Sequence, residues 1–156
     1  MTYKEPILVL PSIENGSVID HIPVGLGMKM IRLLKLEDSA FTVTLAMRLR
    51  SKRMGFKDLI KIENLSLSEK AAHRIAIFAP HGTINIIKDS KIEKKIKTSL
   101  PESIEEILIC PNRNCITHHE KCITLFFVKE HKQKIYLTCK YCQKDFSRDE
   151  IKDYIS

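Results

Sequence analysis

Only five glycines occur among the 156 residues, and none lies in a loop with the spacing that cradles phosphate. No nucleophile stands with a base in a recognisable motif, so the chain offers no catalytic apparatus of its own. Long hydrophobic runs are missing too. The opening ten residues hold an apolar stretch of only four, residues 7–10, too short for a signal peptide or a membrane span. That predicts a cytosolic (cytoplasmic) protein with reduced thiols and no membrane partner.

What is present suits a folded chain. The hydrophobic fraction is 44%, and the length allows one domain or two small ones. The net charge of +7 is unevenly placed: residues 1–101 hold 17 Lys and Arg against 10 Asp and Glu, while residues 102–156 hold nine of each. An anion site is therefore expected upstream.

The C-terminal third is organised around Cys110-Pro-Asn-Arg-Asn-Cys115 and Cys139-Lys-Tyr-Cys142. Two pairs with four and two intervening residues form tight turns that bring four thiolates onto one tetrahedral ion. Cys110, Cys115, Cys139 and Cys142 thus read as a structural site for one Zn²⁺ per chain, favoured over a disulfide or unrelated buried cysteines. His118, His119 and Cys122 lie between the pairs but lack a chelating turn. Four thiolates leave no open position for water or substrate, and with zinc they carry about −2 charge, which suits polyanions poorly.

Hydrophobic periodicity gives the remaining elements. Strands are expected over 18–22, 41–47, 58–63 and 83–87, with helices over 24–36 and from a Ser66-Leu-Ser-Glu69 capping box to Pro80. Residues 41–47 and 58–63 should pair as a hairpin across an exposed basic connection, 48–57, and residues 91–97 should form an edge strand or arm. The order strand, helix, strand, strand, helix, strand is a ferredoxin-like βαββαβ arrangement, in which two helices cover one sheet face and leave the other for a ligand or partner. Past a boundary at residues 100–102, strands over 104–109, 123–128 and 134–139 would build a small zinc-stapled β domain. The fold class is α+β: an N-terminal domain, residues 1–100, and a zinc domain, residues 101–156.

Val18-Ile-Asp-His-Ile-Pro23, Gly55 to Asn64, Ser99-Leu-Pro-Glu102 and the two cysteine pairs resemble, in order and spacing, the regulatory chain of aspartate carbamoyltransferase. The resemblance covers nearly the whole chain. It implies a non-catalytic subunit whose N-terminal domain binds nucleotide effectors and whose zinc domain grips the catalytic chain. It further implies regulatory homodimers that bridge catalytic trimers, with CTP inhibiting and ATP activating. Carried over by position, Lys95 and His21 fall at the phosphates, and Lys61 and Asp20 near sugar and base. Leu10, Ser12, Ile13, Val18, Leu59, Asn85, Ile87 and Ile92 fall along the pocket. Asn112, Arg113 and Asn114 become candidates for contacts with the catalytic chain, beside the turn-forming role that Asn serves well. Pro11 stands where the family often has an acidic residue and Ser90 where it has an aromatic.

Each residue also has a plainer reading. Lys95 belongs to a lysine run, Lys88 to Lys97, that suits a solvated face. Lys61, between Ile60 and Ile62, points away from their core, toward solvent or a ligand. Asp20 beside His21 would favour the imidazolium. A nucleic-acid-binding role competes, since a βαββαβ sheet with a zinc ribbon on a basic chain also describes an RNA-binding protein. The expected central strand 58–63 lacks the aromatics that stack bases, and the zinc part has no positive excess, so no nucleic-acid partner is expected. A ligand-free zinc scaffold is the third reading.

Overall fold

The structure, a computed structural model, describes residues 12–152 and Ile155. The expected strand or arm at residues 7–10, with Leu10 and Pro11, lies outside them. Two antiparallel sheets follow one another along the chain.

The first sheet contains β1 (Gly16–Ile22), β2 (Val43–Ser51), β3 (Gly55–Glu63), β4 (Thr83–Lys88) and β5 (Lys91–Lys97) in the order β2-β3-β1-β4-β5. With α1 (Gly27–Leu33) and α2 (Glu69–Ala76), this is the expected βαββαβ order extended by one edge strand. Period-two alternation decides the faces. Ile19, Ile60, Ile62, Ile84 and Ile86 turn toward Met30, Ile31, Leu33, Ala72, Ile75 and Phe78 of the helical layer, and all are buried. Each buried Ile contributes about 1.5–3 kcal/mol.

Asp58, fully buried at the centre of β3, ties the layers together. Its carboxylate accepts the N–H groups of Gly25 (3.1 Å) and Gly27 (3.0 Å) at the start of α1, and that of Arg48 (2.9 Å) in β2. Backbone approach is close there: a Cβ on Gly27 would lie 2.7 Å from Leu45 Cδ1 and 2.9 Å from Asp58 Oδ2.

Several boundaries differ from expectation. The first helix spans seven residues rather than 24–36, because Gly25 (φ 88) and Lys35 (φ 54) leave helical geometry on either side. Residues 48–57 are exposed or half-buried, as expected, but they are not a connection. They belong largely to β2 and β3, which run on to Ser51 and back to Gly55, and Arg48 forms a bulge (φ 58) held by Asp58. The cap of α2 is Ser68 rather than Ser66, with its hydroxyl accepting the Ala71 N–H (3.2 Å). Ser17 explains the shift: its hydroxyl donates to the Leu65 carbonyl (2.6 Å) and accepts the Leu67 N–H (2.9 Å), which holds 65–67 against β1.

The second sheet orders β6 (Ser103–Glu105), β7 (Leu125–His131), β8 (Lys134–Cys139) and β9 (Asp145–Ser147) as β6-β7-β8-β9. Glu106 (φ 55) ends the lead-in strand far short of residue 109, and Lys132 and Gln133 (φ 48 and 63) form the expected hairpin turn. β9 is an element that periodicity did not reveal, being only three residues long. The core here is Ile104, Leu108, Phe126, Leu137, Phe146 and Ile151 with three cysteines, and it includes Ile77 from the end of α2.

Candidate metal centre and effector face

The Cys110–Cys115 loop is wound by short hydrogen bonds. The Cys115 N–H donates to the Asn112 carbonyl (2.9 Å), the Asn114 N–H to Asn112 Oδ1 (3.2 Å), and a 3₁₀ turn follows at Ile116–His118. The second pair closes a knuckle at the end of β8, where the Gln143 N–H donates to the Cys139 carbonyl (2.9 Å). The four Sγ atoms lie within 4.8 Å of one another, with Cys110–Cys142 and Cys115–Cys139 each at 3.8 Å. A zinc–sulfur bond of about 2.3 Å gives a tetrahedral edge of about 3.8 Å. The cluster fits zinc.

Donors around the sulfurs point the same way. Burial pushes the Cys110 and Cys139 thiols up from their ordinary value, against backbone N–H groups of Asn112 at Cys110 and of Cys142 and Tyr141 at Cys139, which favour thiolate. At Cys115 burial also raises the thiol, but donors at Thr117 and the neighbouring Cys139 and Cys110 thiols together bring it down to about 7. N–H donors aimed at buried sulfurs are the surroundings a metal thiolate needs. His118 is outside the cluster, its Nε2 2.7 Å from the Cys110 carbonyl oxygen, where it braces the loop. Zinc held by four thiolates has no open coordination position, so it supplies structure rather than catalysis.

On the first sheet, the face away from the helices carries a row of paired residues. Thr44 pairs with Lys61, Lys61 with Val18, Val18 with Asn85, and Asn85 with Lys95. Leu59, Asp20 and Ile87 lie on the same face one step along their strands, and Ile92 pairs with Ile87. Asn85 Oδ1 is buried without a hydrogen-bond partner. His21 occupies a bulge of β1 (φ 59), where its Nδ1 lies 3.1 Å from the Thr83 hydroxyl and 4.0 Å from Asp20. Lys57, which sequence reasoning did not single out, takes Asp20 as its partner at 2.8 Å, both side chains 18% exposed. Ser12 is exposed and Ile13 buried at the entry to β1. Ser90 (φ 65) is in the β4–β5 turn rather than in a strand, and its N–H donates to the Glu14 carbonyl (2.9 Å).

Asn112 spends its side chain on the loop itself, whereas Arg113 and Asn114 are exposed. Ile116, Ile123, Phe127 and Tyr141, all in this C-terminal part, are between 38% and 55% exposed. Among the described residues no helix is long and apolar enough to cross a membrane.

Comparison with known proteins agrees along nearly the whole chain. Residues 8–99 match the family model of the aspartate carbamoyltransferase regulatory chain, allosteric domain, and residues 102–152 match that of its metal binding domain. The chain is similar to the aspartate carbamoyltransferase regulatory chain of Photobacterium profundum, at 47% identity over 148 residues (95% of this chain, 96% of the relative). It is also similar to those of Chromobacterium violaceum, at 46% over 140 residues (90% and 92%), and Vibrio campbellii, at 43% over 148 residues (95% and 97%). With both domain models matched in order and four thiols set to hold a structural zinc, the chain belongs to the aspartate carbamoyltransferase regulatory chain family, the non-catalytic allosteric subunits of a pyrimidine-biosynthetic enzyme.

Proposed function

We propose that residues 1–100 bind nucleoside triphosphate effectors, CTP and ATP, on the open face of the first sheet. Residues 101–156 then hold the catalytic chain of a cytoplasmic aspartate carbamoyltransferase. The observation that carries the reading is the cross-strand row Lys61–Val18–Asn85–Lys95. A triphosphate needs separated cationic donors, which Lys61 and Lys95 supply with His21 as a further hydrogen-bonding group, while Val18, Leu59, Ile87 and Ile92 offer an apolar wall. The unpartnered Asn85 Oδ1 suits an exocyclic amine, which cytosine and adenine share.

A second copy of the chain is proposed to cover the β2 edge, where Phe41, Met47 and Phe56 are exposed. For the catalytic chain, the proposed contacts are the exposed apolar side chains Ile116, Ile123, Phe127 and Tyr141, of which Tyr141 and Ile123 are joined by a hydrogen bond, together with the exposed Arg113 and Asn114. Nucleotides that bind the two quaternary states unequally shift their balance.

Calorimetry of CTP and ATP with the zinc-loaded chain tests the effector reading. Micromolar binding, about −8 kcal/mol, is expected, weakened at least tenfold in Lys95→Ala. Tight, salt-sensitive binding of a short single-stranded RNA without mononucleotide binding would replace it with the nucleic-acid reading. Asn114→Ala should weaken co-elution with the catalytic chain while zinc stays bound; unchanged co-elution removes Asn114 from the interface.

A further inference from the structure

The two hydrophobic cores meet at the end of α2. Ile77 belongs to the metal-side core, and Phe78, its neighbour in sequence, to the sheet-side core. Their carbonyls lie at a helix C-terminus, where backbone acceptors lack helical partners and the dipole is negative. Arg148 reaches them from the far end of the chain: its Nη1 donates to the Ile77 carbonyl (3.1 Å) and the Phe78 carbonyl (3.5 Å).

The guanidinium is only partly compensated there. Its side chain is 20% exposed, and among the described residues its nearest carboxylate is Asp149 at 3.8 Å and its buried Nε has no hydrogen-bond partner. Burial lowers its pKa below the usual arginine value. A charge docked mainly on neutral carbonyls gives up hydration for its hydrogen bonds, so a hydrated, undocked arrangement competes with the docked one. An element with two such arrangements can be biased from either side.

Both sides are rigidly mounted. Arg148 opens a 3₁₀ turn at Arg148–Glu150 that is fixed by a capping box, with the Ser147 N–H donating to the Glu150 carboxylate (2.6 Å). Immediately before it, β9 pairs with β8, whose last residue is the metal ligand Cys139. On the other side, the Thr98 hydroxyl contacts the Ala79 and Gly82 carbonyls, which joins the end of β5 to the turn that starts β4. β5 carries Lys95, and β4 opens at Thr83, the partner of His21.

We propose that Arg148 is a positioning residue that couples the effector face to the metal domain, by clamping the end of α2 in one of two interdomain arrangements. This rests on the effector reading above for its ligand, but not for its geometry.

The test uses the complex assembled with the catalytic chain, carrying Arg148→Met or Arg148→Lys. The Met variant should keep its zinc and bind CTP within about twofold of the parent, while the nucleotide-induced change in carbamoyltransferase activity shrinks at least fivefold, the lower range of allosteric coupling. Lys, which keeps a charge near the carbonyls, should restore part of the response. A parental response in the Met variant overturns the proposal. A second readout needs no nucleotide: with zinc bound in both, amide exchange at residues 79–85 should be severalfold faster in the Met variant than in the parent. Equal exchange in the two also overturns the proposal. A parent chain that fails to bind nucleotide sinks the effector reading, and the exchange measurement still decides the clamp.

Discussion

The two halves of this chain bury their cores by different means. The first sheet lays rows of isoleucine under two helices and admits one fully buried carboxylate, Asp58, which is met by three N–H groups. The second sheet has two three-residue strands, no α-helix beside it among the described residues, and cysteines at three of its core positions. About fifty residues bury too little apolar surface to be secure alone. One half is held by its aliphatic layer, the other by an ion.

The sharpest way to separate them is to remove the ion. Cys110→Ser, or a strong chelator, should remove a contribution on the order of 10 kcal/mol. Strand signal from β7 and β8 should be lost while the first sheet survives. Circular dichroism and zinc content measured together check this; a variant that keeps both shows that the thiols are not what holds the second half.

The converse experiment strikes the first half and spares the metal. Asp58→Ala leaves the N–H groups of Gly25, Gly27 and Arg48 without their acceptor in a closed site, which costs about 3–5 kcal/mol. Calorimetry should show the transition of the sheet domain falling by roughly 10–20 °C, with zinc content unchanged. An equal fall for both halves would mean that they unfold as one unit.

How far each half could be read beforehand follows the same division. Isoleucine alternation marked β1, β3 and β4, and the paired cysteines marked the metal site, because both are local signals of fixed spacing. The bulges at His21 and Arg48 were not legible: each depends on a partner across the sheet, Thr83 for one and Asp58 for the other. The cap of α2 was misplaced by two residues because Ser17, nearly fifty residues upstream, holds 65–67 extended. β9 escaped notice because three residues carry no periodicity, and the Asp20–Lys57 pair because nothing in a strand's own sequence names its diagonal neighbour. The row Lys61–Val18–Asn85–Lys95 needed the register of four strands at once.

The smallest expected effect sharpens the comparison from the surface. Lys94 and Glu69 join β5 to the first turn of α2 at 3.0 Å, and the hydrogen bond from Lys94, followed by its charge, holds the Glu69 carboxyl below its ordinary value. A depressed carboxyl stabilises the folded state above its ordinary pKa, and that contribution disappears as the pH falls through the folded value. Both side chains are more than half exposed, so water and salt screen the pair. Glu69→Gln should therefore leave the melting temperature at pH 7 within about 1 °C of the parent and flatten only slightly its decline in acid. A drop approaching that of Asp58→Ala would assign the stability of the first half to ionic bridges between sheet and helix. A null result leaves it with the isoleucine layer and the single buried carboxylate.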